Sequence, residues 1–168
     1  MRRVLRRREL VVDDWLHWGE NALAAPPGAG LIVPLKELRA NPQDWATPAQ
    51  ALGVRIAPAD KLEDLIPDLA RFALVAIEFP SPTEGRGYSH ARLLRSRVGF
   101  KGELRAVGAA VKRDLMVALA RCGFDVYEIA PGEDPEACLD ALSRYSVAYQ
   151  ADWGNDLTLQ WRTRPTSM

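Results

Sequence analysis

The chain has 168 residues and a mass of 18.6 kDa, enough for one domain with a buried core. Hydrophobic residues make up 48% and charged residues 26%, which excludes wholesale disorder. Lys plus Arg (22) equals Asp plus Glu (22), so no basic excess recruits nucleic acid, and no apolar run reaches the length that spans a bilayer.

The Arg-rich start has no long apolar stretch behind it, so it is not read as a secretory signal, and a cytoplasmic location is expected. Residues 4–5 and 9–12 read as two short strands of a hairpin that turns around Arg6, Arg7 and Arg8 and ends at Asp13-Asp14. Residues 19–30, with Pro26, Pro27, Gly28 and Gly30, read as a linker. Residues 31–35 (LIVPL) and 53–57 (GVRIA) are expected strands, with Pro42 and Pro48 breaking any helix between them. Asp60 and Glu63 have the spacing of a capping box for a helix whose apolar face is Leu62, Leu65, Ile66 and Leu69, with a break at Pro67. Residues 74–79 (LVAIEF) form the clearest buried strand. Ser89 is then the expected N-cap of a helix that carries Ala91, Leu94 and Val98 and stops at Gly99. A strand over 104–108 leads to a helix with Leu115, Leu119 and Cys122 at helical spacing, which stops at Gly123. After a strand over 126–129, Asp134 caps a last helix that has Pro135 at its first position and Leu139, Leu142 and Tyr145 facing inward. Residues 151–168 read as a polar, flexible tail behind a single domain over 1–150.

This is about five β/α units over 31–149 and implies an α/β fold with a mostly parallel sheet, preceded by the N-terminal hairpin. Two arrangements fit: a flavodoxin-like open sheet with helices on both faces, or a partial barrel with helices on one side. A complete eight-stranded parallel barrel needs ~250 residues.

Cys122 and Cys138 form no CxxC pair, and neither they nor His17 and His90 have zinc or iron–sulfur spacing. No metal site and no cofactor is read, and no GxSxG elbow is present. Cys122 reads as a packing thiol, and His17, between Trp15 and Trp18, as a packing residue.

Ligands of parallel α/β sheets bind beyond the carboxyl ends of the strands. There, after the strand over 74–79, stand Gly85, Arg86, Gly87, Tyr88 and Ser89, leading into a helix that carries Arg92. Two glycines permit close backbone approach, and a helix N-terminus attracts anions, so this loop is a candidate oxyanion site against the plainer reading of a tight turn. Glu78, Arg105 and Glu128 lie in or at the ends of buried strands, where a charge needs a partner. Were those strands neighbours, the three would form a catalytic cluster with a carboxylate as acid or base; otherwise they face solvent or make a structural ion pair. Residues 85–121 hold nine Lys or Arg against two Asp or Glu, and residues 122–156 hold eight Asp or Glu against one Arg. Two helix faces that attract each other are the plainer explanation, a steering surface the sharper one. Trp15 and Trp18 are read as packing, with Trp153 and Trp161 left open between packing and a partner surface.

Several blocks in this order resemble a bacterial family, domain of unknown function 934: FP at 79–80, GRGYS at 85–89, ARLLR at 91–95, GELRAVG at 102–108, RD at 113–114, RCGFD at 121–125 and SVAYQ at 146–150. DDW at 13–15 and LIVPL at 31–35 are weaker matches, and the whole covers about 4–150. Residues 81–84 (SPTE) depart from the family pattern, which has a bulkier residue and an Asp there. Members are commonly described as oxidoreductases of sulfite reduction, from genes lying beside an assimilatory sulfite reductase haemoprotein. The resemblance implies an accessory role in that pathway, with an oxyanion or the haemoprotein as partner. The rival expectations are a structural subunit that forms a homodimer and a small-molecule enzyme acting on a phosphorylated or carboxylated substrate. No nucleic acid or membrane partner is expected.

Overall fold

In the computed structural model, which describes residues 2–20, 28–45 and 50–143, the apolar runs of the sequence form one eight-stranded sheet. Its strands are β1 (Arg3–Arg6), β2 (Glu9–Val12), β3 (Trp15–His17), β4 (Gly30–Pro34), β5 (Leu52–Ile56), β6 (Leu74–Glu78), β7 (Glu103–Val107) and β8 (Val126–Tyr127). The order across the sheet is β2-β1-β8-β7-β6-β5-β4-β3. From β3 to β8 neighbours pair in parallel and in chain order, whereas β1 pairs antiparallel with both β2 and β8.

That order overturns the flavodoxin-like alternative. Crossovers that always step the same way and keep one hand put every helix on the same face. The hairpin is not an appendage but part of the sheet, which is therefore mixed. The strand β3 falls before the stretch read as linker, and with three residues it is too short to show alternation.

Chain connectivity forces the sheet to curl. The edge strands β2 and β3 are consecutive, and only Asp13 and Asp14 stand between Val12 and Trp15. Three peptide links reach ~11 Å, while the edges of a flat eight-stranded sheet stand ~33 Å apart. The result is a half-barrel whose edges are tethered: Asp13 N donates to Arg2 O (2.9 Å) and Gly30 N to Asp14 O (3.0 Å).

Alternation then sorts each strand between two faces. Val54, Ile56, Val75, Ile77, Leu104 and Tyr127 join the main core under the helices. Ile32, Leu74, Ala76 and Val107 form a second cluster on the inner face, where the Trp15 ring packs against them. Trp15 lies flat there because β4 and β5 offer glycines: a Cβ at Gly30 would stand 2.4 Å from the ring and one at Gly53 3.1 Å.

The helices are α1 (Leu35–Ala40), α2 (Arg86–Leu93), α3 (Met116–Arg121) and α4 (Pro135–Ser143). The helix expected behind Asp60 is replaced by two 3-10 segments, Leu62–Asp64 and Ile66–Arg71. Pro67 lacks the N–H that an α-helix would use, and Asp60 instead accepts from Ala57 N at 2.8 Å. α2 starts at Arg86, not behind Ser89, which sits exposed inside the helix. It continues as a wide turn over Leu94–Val98 and ends at Gly99 in the left-handed conformation (φ 73°), the expected stop. Asp134 caps α4 as expected, accepting from Glu136 N at 2.9 Å. Tyr145, the SVAYQ block, Trp153, Trp161 and the predicted tail lie outside the described residues.

Candidate functional site

Because β3 to β8 are parallel, their carboxyl ends open at one mouth of the half-barrel. The register assigns four inner-face residues to it: His17 on β3, Arg55 on β5, Glu78 on β6, and Glu128 just past β8, whose N–H donates to Ala106 O (2.9 Å).

Below this mouth, Arg105 is 0% exposed yet fully paired. Its Nη1 donates to Asp13 Oδ2 (2.9 Å), and its Nε (3.2 Å) and Nη2 (3.0 Å) donate to Glu103 Oε1. Arg2 reaches the same acid from the other edge, with Nε 2.8 Å from Asp13 Oδ2, and also donates to Trp15 O (2.8 Å) and Glu20 Oε1 (2.7 Å). His17 Nε2 meets Glu128 Oε2 at 2.8 Å, and Arg2 (3.6 Å) and Arg105 (3.8 Å) complete the surroundings of that carboxylate. Burial works against the charge on Asp13, but the hydrogen bonds and charges of Arg105 and Arg2 outweigh it and hold its carboxyl below the ordinary range. The same balance of burial against His17, Arg2 and Arg105 lowers Glu128. Both acids stay ionised, so the network joins the two edges of the sheet electrostatically.

Of the predicted trio, Arg105 and Glu128 are brought together, while Glu78 stays apart. It is half-buried, in register with Val107, and makes no ion pair among the described residues. Arg105 is engaged on three sides by carboxylates and is not free to orient a substrate.

In the GRGYS segment each residue has a local role. Arg86 N donates to Glu84 Oε1 (3.2 Å), so the first amide of α2 already faces a carboxylate. Arg86 Nη1 reaches Pro58 O (3.1 Å), which ties the segment to the loop after β5 beside the mouth. Gly87 is a packing glycine, since a Cβ there would lie 2.6 Å from the Phe79 ring. Tyr88 packs on Phe79 with ring centroids 5.1 Å apart, and burial raises its phenol pKa. Gly85 has open space around it, and Ser89 and Arg92 are exposed.

Sequence reasoning missed Asp13, Glu103, Arg2 and Arg55 and took His17 for packing. Arg55 had a usable signal, because the rule that singled out Arg105 (a charge inside a predicted strand) applies equally to GVRIA. Arg55 is half-buried on the inner face, in register with Pro34 and Ala76, and no carboxylate pairs with it among the described residues. The charge asymmetry resolves into contacts: Arg95 pairs with Asp125, and Lys112 with Glu133 at 3.8 Å, across the two segments. Trp18, 49% exposed, meets Trp45 edge-on at 5.1 Å. Among the described residues no helix is long and apolar enough to cross a membrane.

A family model described as a bacterial protein of unknown function (DUF934) matches residues 53–159, more than half of the chain. The match starts at β5 and takes in the carboxyl ends of β5 to β8, while the hairpin, β3 and β4 lie before it. No curated protein matches the chain.

Proposed function

We propose that this chain, which belongs to the DUF934 family of bacterial proteins, is an accessory protein of assimilatory sulfite reduction that holds a small oxyanion at the carboxyl mouth of its sheet. The observation that carries the reading is Arg55. It is an inner-face guanidinium at the end of a parallel strand, half-buried, with no carboxylate pairing it among the described residues. A guanidinium presents a fork of N–H donors that matches two oxygens of one anion. Arg86 brings a second positive charge to the adjacent loop through its bond to Pro58 O. The pathway comes from the resemblance described above, and the sulfite reductase haemoprotein is the partner it implies.

A second reading is favoured by Glu78, which is also half-buried and unpaired among the described residues and lies two positions along β6 from Ala76, the register partner of Arg55. With a carboxylated substrate held by Arg55, Glu78 would be the base, and Arg105 would act only by positioning Glu128.

The test is calorimetric titration with sulfite, sulfate and phosphate, beside a titration with the purified haemoprotein, for the native chain, Arg55→Ala and Arg86→Ala. The expected result is sulfite binding that weakens about tenfold or more in Arg55→Ala, a change of ~1.4 kcal/mol. Binding unchanged in both variants would remove the anion from this mouth. No binding of any anion or of the haemoprotein by the native chain would overturn the proposal.

A further inference from the structure

The five arginines within residues 1–8 are not all consumed by the network that tethers the sheet edges. At the other end of the strands, beside the amino ends of β7 and β8, lies a cleft of about 350 Å³ whose charged lining is Arg6, Arg7, Arg95, Lys101, Glu103 and Asp125. Its two acids are already committed. Asp125 pairs with Arg95, whose buried guanidinium also donates to the carbonyls of Gly123 (3.0 Å), Phe100 (2.7 Å) and Gly102 (2.9 Å). Glu103 lies 3.1 Å from Arg6 Nε and also accepts from Arg105. Arg7 and Lys101 are left as exposed cations with no carboxylate partner among the described residues.

The backbone holds Arg7 over this cleft at a cost. Arg7 and Arg8 form the two-residue turn between β1 and β2, and both are left-handed, with φ of 49° and 68°. Turns of this kind favour Asn-Gly, because at positive φ most residues other than Gly, Asn and Asp are strained. The Arg7 N–H donates to Asp125 O at 3.1 Å and pins the turn to the start of β8. Two strained, mutually repelling arginines beside a concave, cation-rich surface weaken the fold, and an anion bound there would offset the repulsion.

We propose that this cleft is a second anion site, separate from the carboxyl mouth, and that it takes a small phosphate-bearing ligand whose phosphate is held by Arg7 and Lys101. Two unpaired cations match a phosphate dianion, and the volume suits a small metabolite more than a polypeptide segment. Phe100, Gly102 and Val126 complete the lining of the cleft.

Equilibrium dialysis of the full chain at low ionic strength, with inorganic pyrophosphate and inorganic phosphate as probes and acetate and an oligoglutamate peptide as comparison arms, tests this. The variants are Arg7→Gly, Arg8→Gly, Lys101→Ala and Arg55→Ala, each with a thermal unfolding curve. Pyrophosphate is expected to bind, with affinity reduced about tenfold or more in Arg7→Gly and Lys101→Ala. Arg8→Gly and Arg55→Ala are expected to stay within about twofold of the native chain, since Arg8 is outside the lining and Arg55 is at the other mouth. Both glycine variants are expected to unfold at higher temperature, so loss of binding in Arg7→Gly is not loss of fold. No pyrophosphate binding at millimolar concentration, native affinity retained in Arg7→Gly and Lys101→Ala, or tighter binding of oligoglutamate than of pyrophosphate would each overturn the proposal.

Discussion

Arg105 and Arg7 are the same residue type in opposite circumstances. Arg105 is sealed inside the half-barrel with Asp13, Glu103 and Glu128 around it, whereas Arg7 stands exposed on a strained turn with no partner among the described residues. The difference teaches that a positive charge here is structural where carboxylates pair it and available where none does. Arg2 and Arg6, only a few residues from Arg7, fall on the structural side because their side chains reach Asp13 and Asp14. A local count of charge cannot make this distinction, because the partners of Arg105 lie as far away in sequence as Asp13.

The comparison breaks most visibly at Arg105. Arg105→Ala removes the buried cation shared by Asp13, Glu103 and Glu128, leaving Asp13 with Arg2 alone, and is expected to cost about 3–5 kcal/mol in denaturant unfolding. Replacing Arg105 and Asp13 together with Met and Leu is expected to recover most of that loss, which would show that pairing, not positive charge, is what the interior requires.

Acid takes the same pairs apart less completely. Asp13 and Glu128 have folded pKa values below their ordinary ones, so the unfolded chain binds protons first. Their stabilisation is fully present above about pH 5 and is lost as pH falls below about 4 and through the lowered folded values. Unfolding curves at descending pH should show this loss, with a shallower dependence in Asp13→Asn. A chain equally stable at pH 7 and pH 3 would contradict the assignment of ionised acids to the interior.

A smaller loss is expected at His17. Its Nε2 bond to Glu128 joins β3 to the end of β8, but Arg2 and Arg105 remain beside that carboxylate. His17→Ala is expected to cost about 1.5–3 kcal/mol, the range of a hydrogen bond to a charged group. The smallest effect belongs to the other region: Lys101→Ala at the amino-end cleft is expected to change stability by no more than about 0.5 kcal/mol. A Lys101→Ala cost near that of Arg105→Ala would erase the distinction between the two regions.

Much of the architecture could be read from the chain. The strands around 53–57, 74–79, 104–108 and 126–129, the stops at Gly99 and Gly123 and the Asp134 cap follow from local chemistry, which acts over a few residues. The curl was legible only as one of two alternatives, a partial barrel beside an open sheet, because the choice depends on which strands become edges, and β3 is three residues long. Ser89 looked like a cap from its residue type, yet α2 starts at Arg86, with the amide there meeting Glu84. At the site, Arg105 and Glu128 were legible as charges out of place in strands. Asp13 was not, since next to Asp14 it looks like an ordinary turn residue, and only the tethering of the two edges makes it a buried counter-ion.

The two-residue link between β2 and β3 also governs the order in which the molecule assembles. β1 pairs with β8, so among the described residues the earliest strand completes its bonds only after the latest has formed. During synthesis the hairpin emerges before its partner and waits, while β3 to β7 can add in sequence as they leave the ribosome. Contacts of such sequence separation slow folding, and until they close the β8 edge presents unpaired backbone groups to other chains. The hairpin thus acts as a late clasp, and a chain that loses it should reach the same parallel core but remain prone to self-association along the β8 edge.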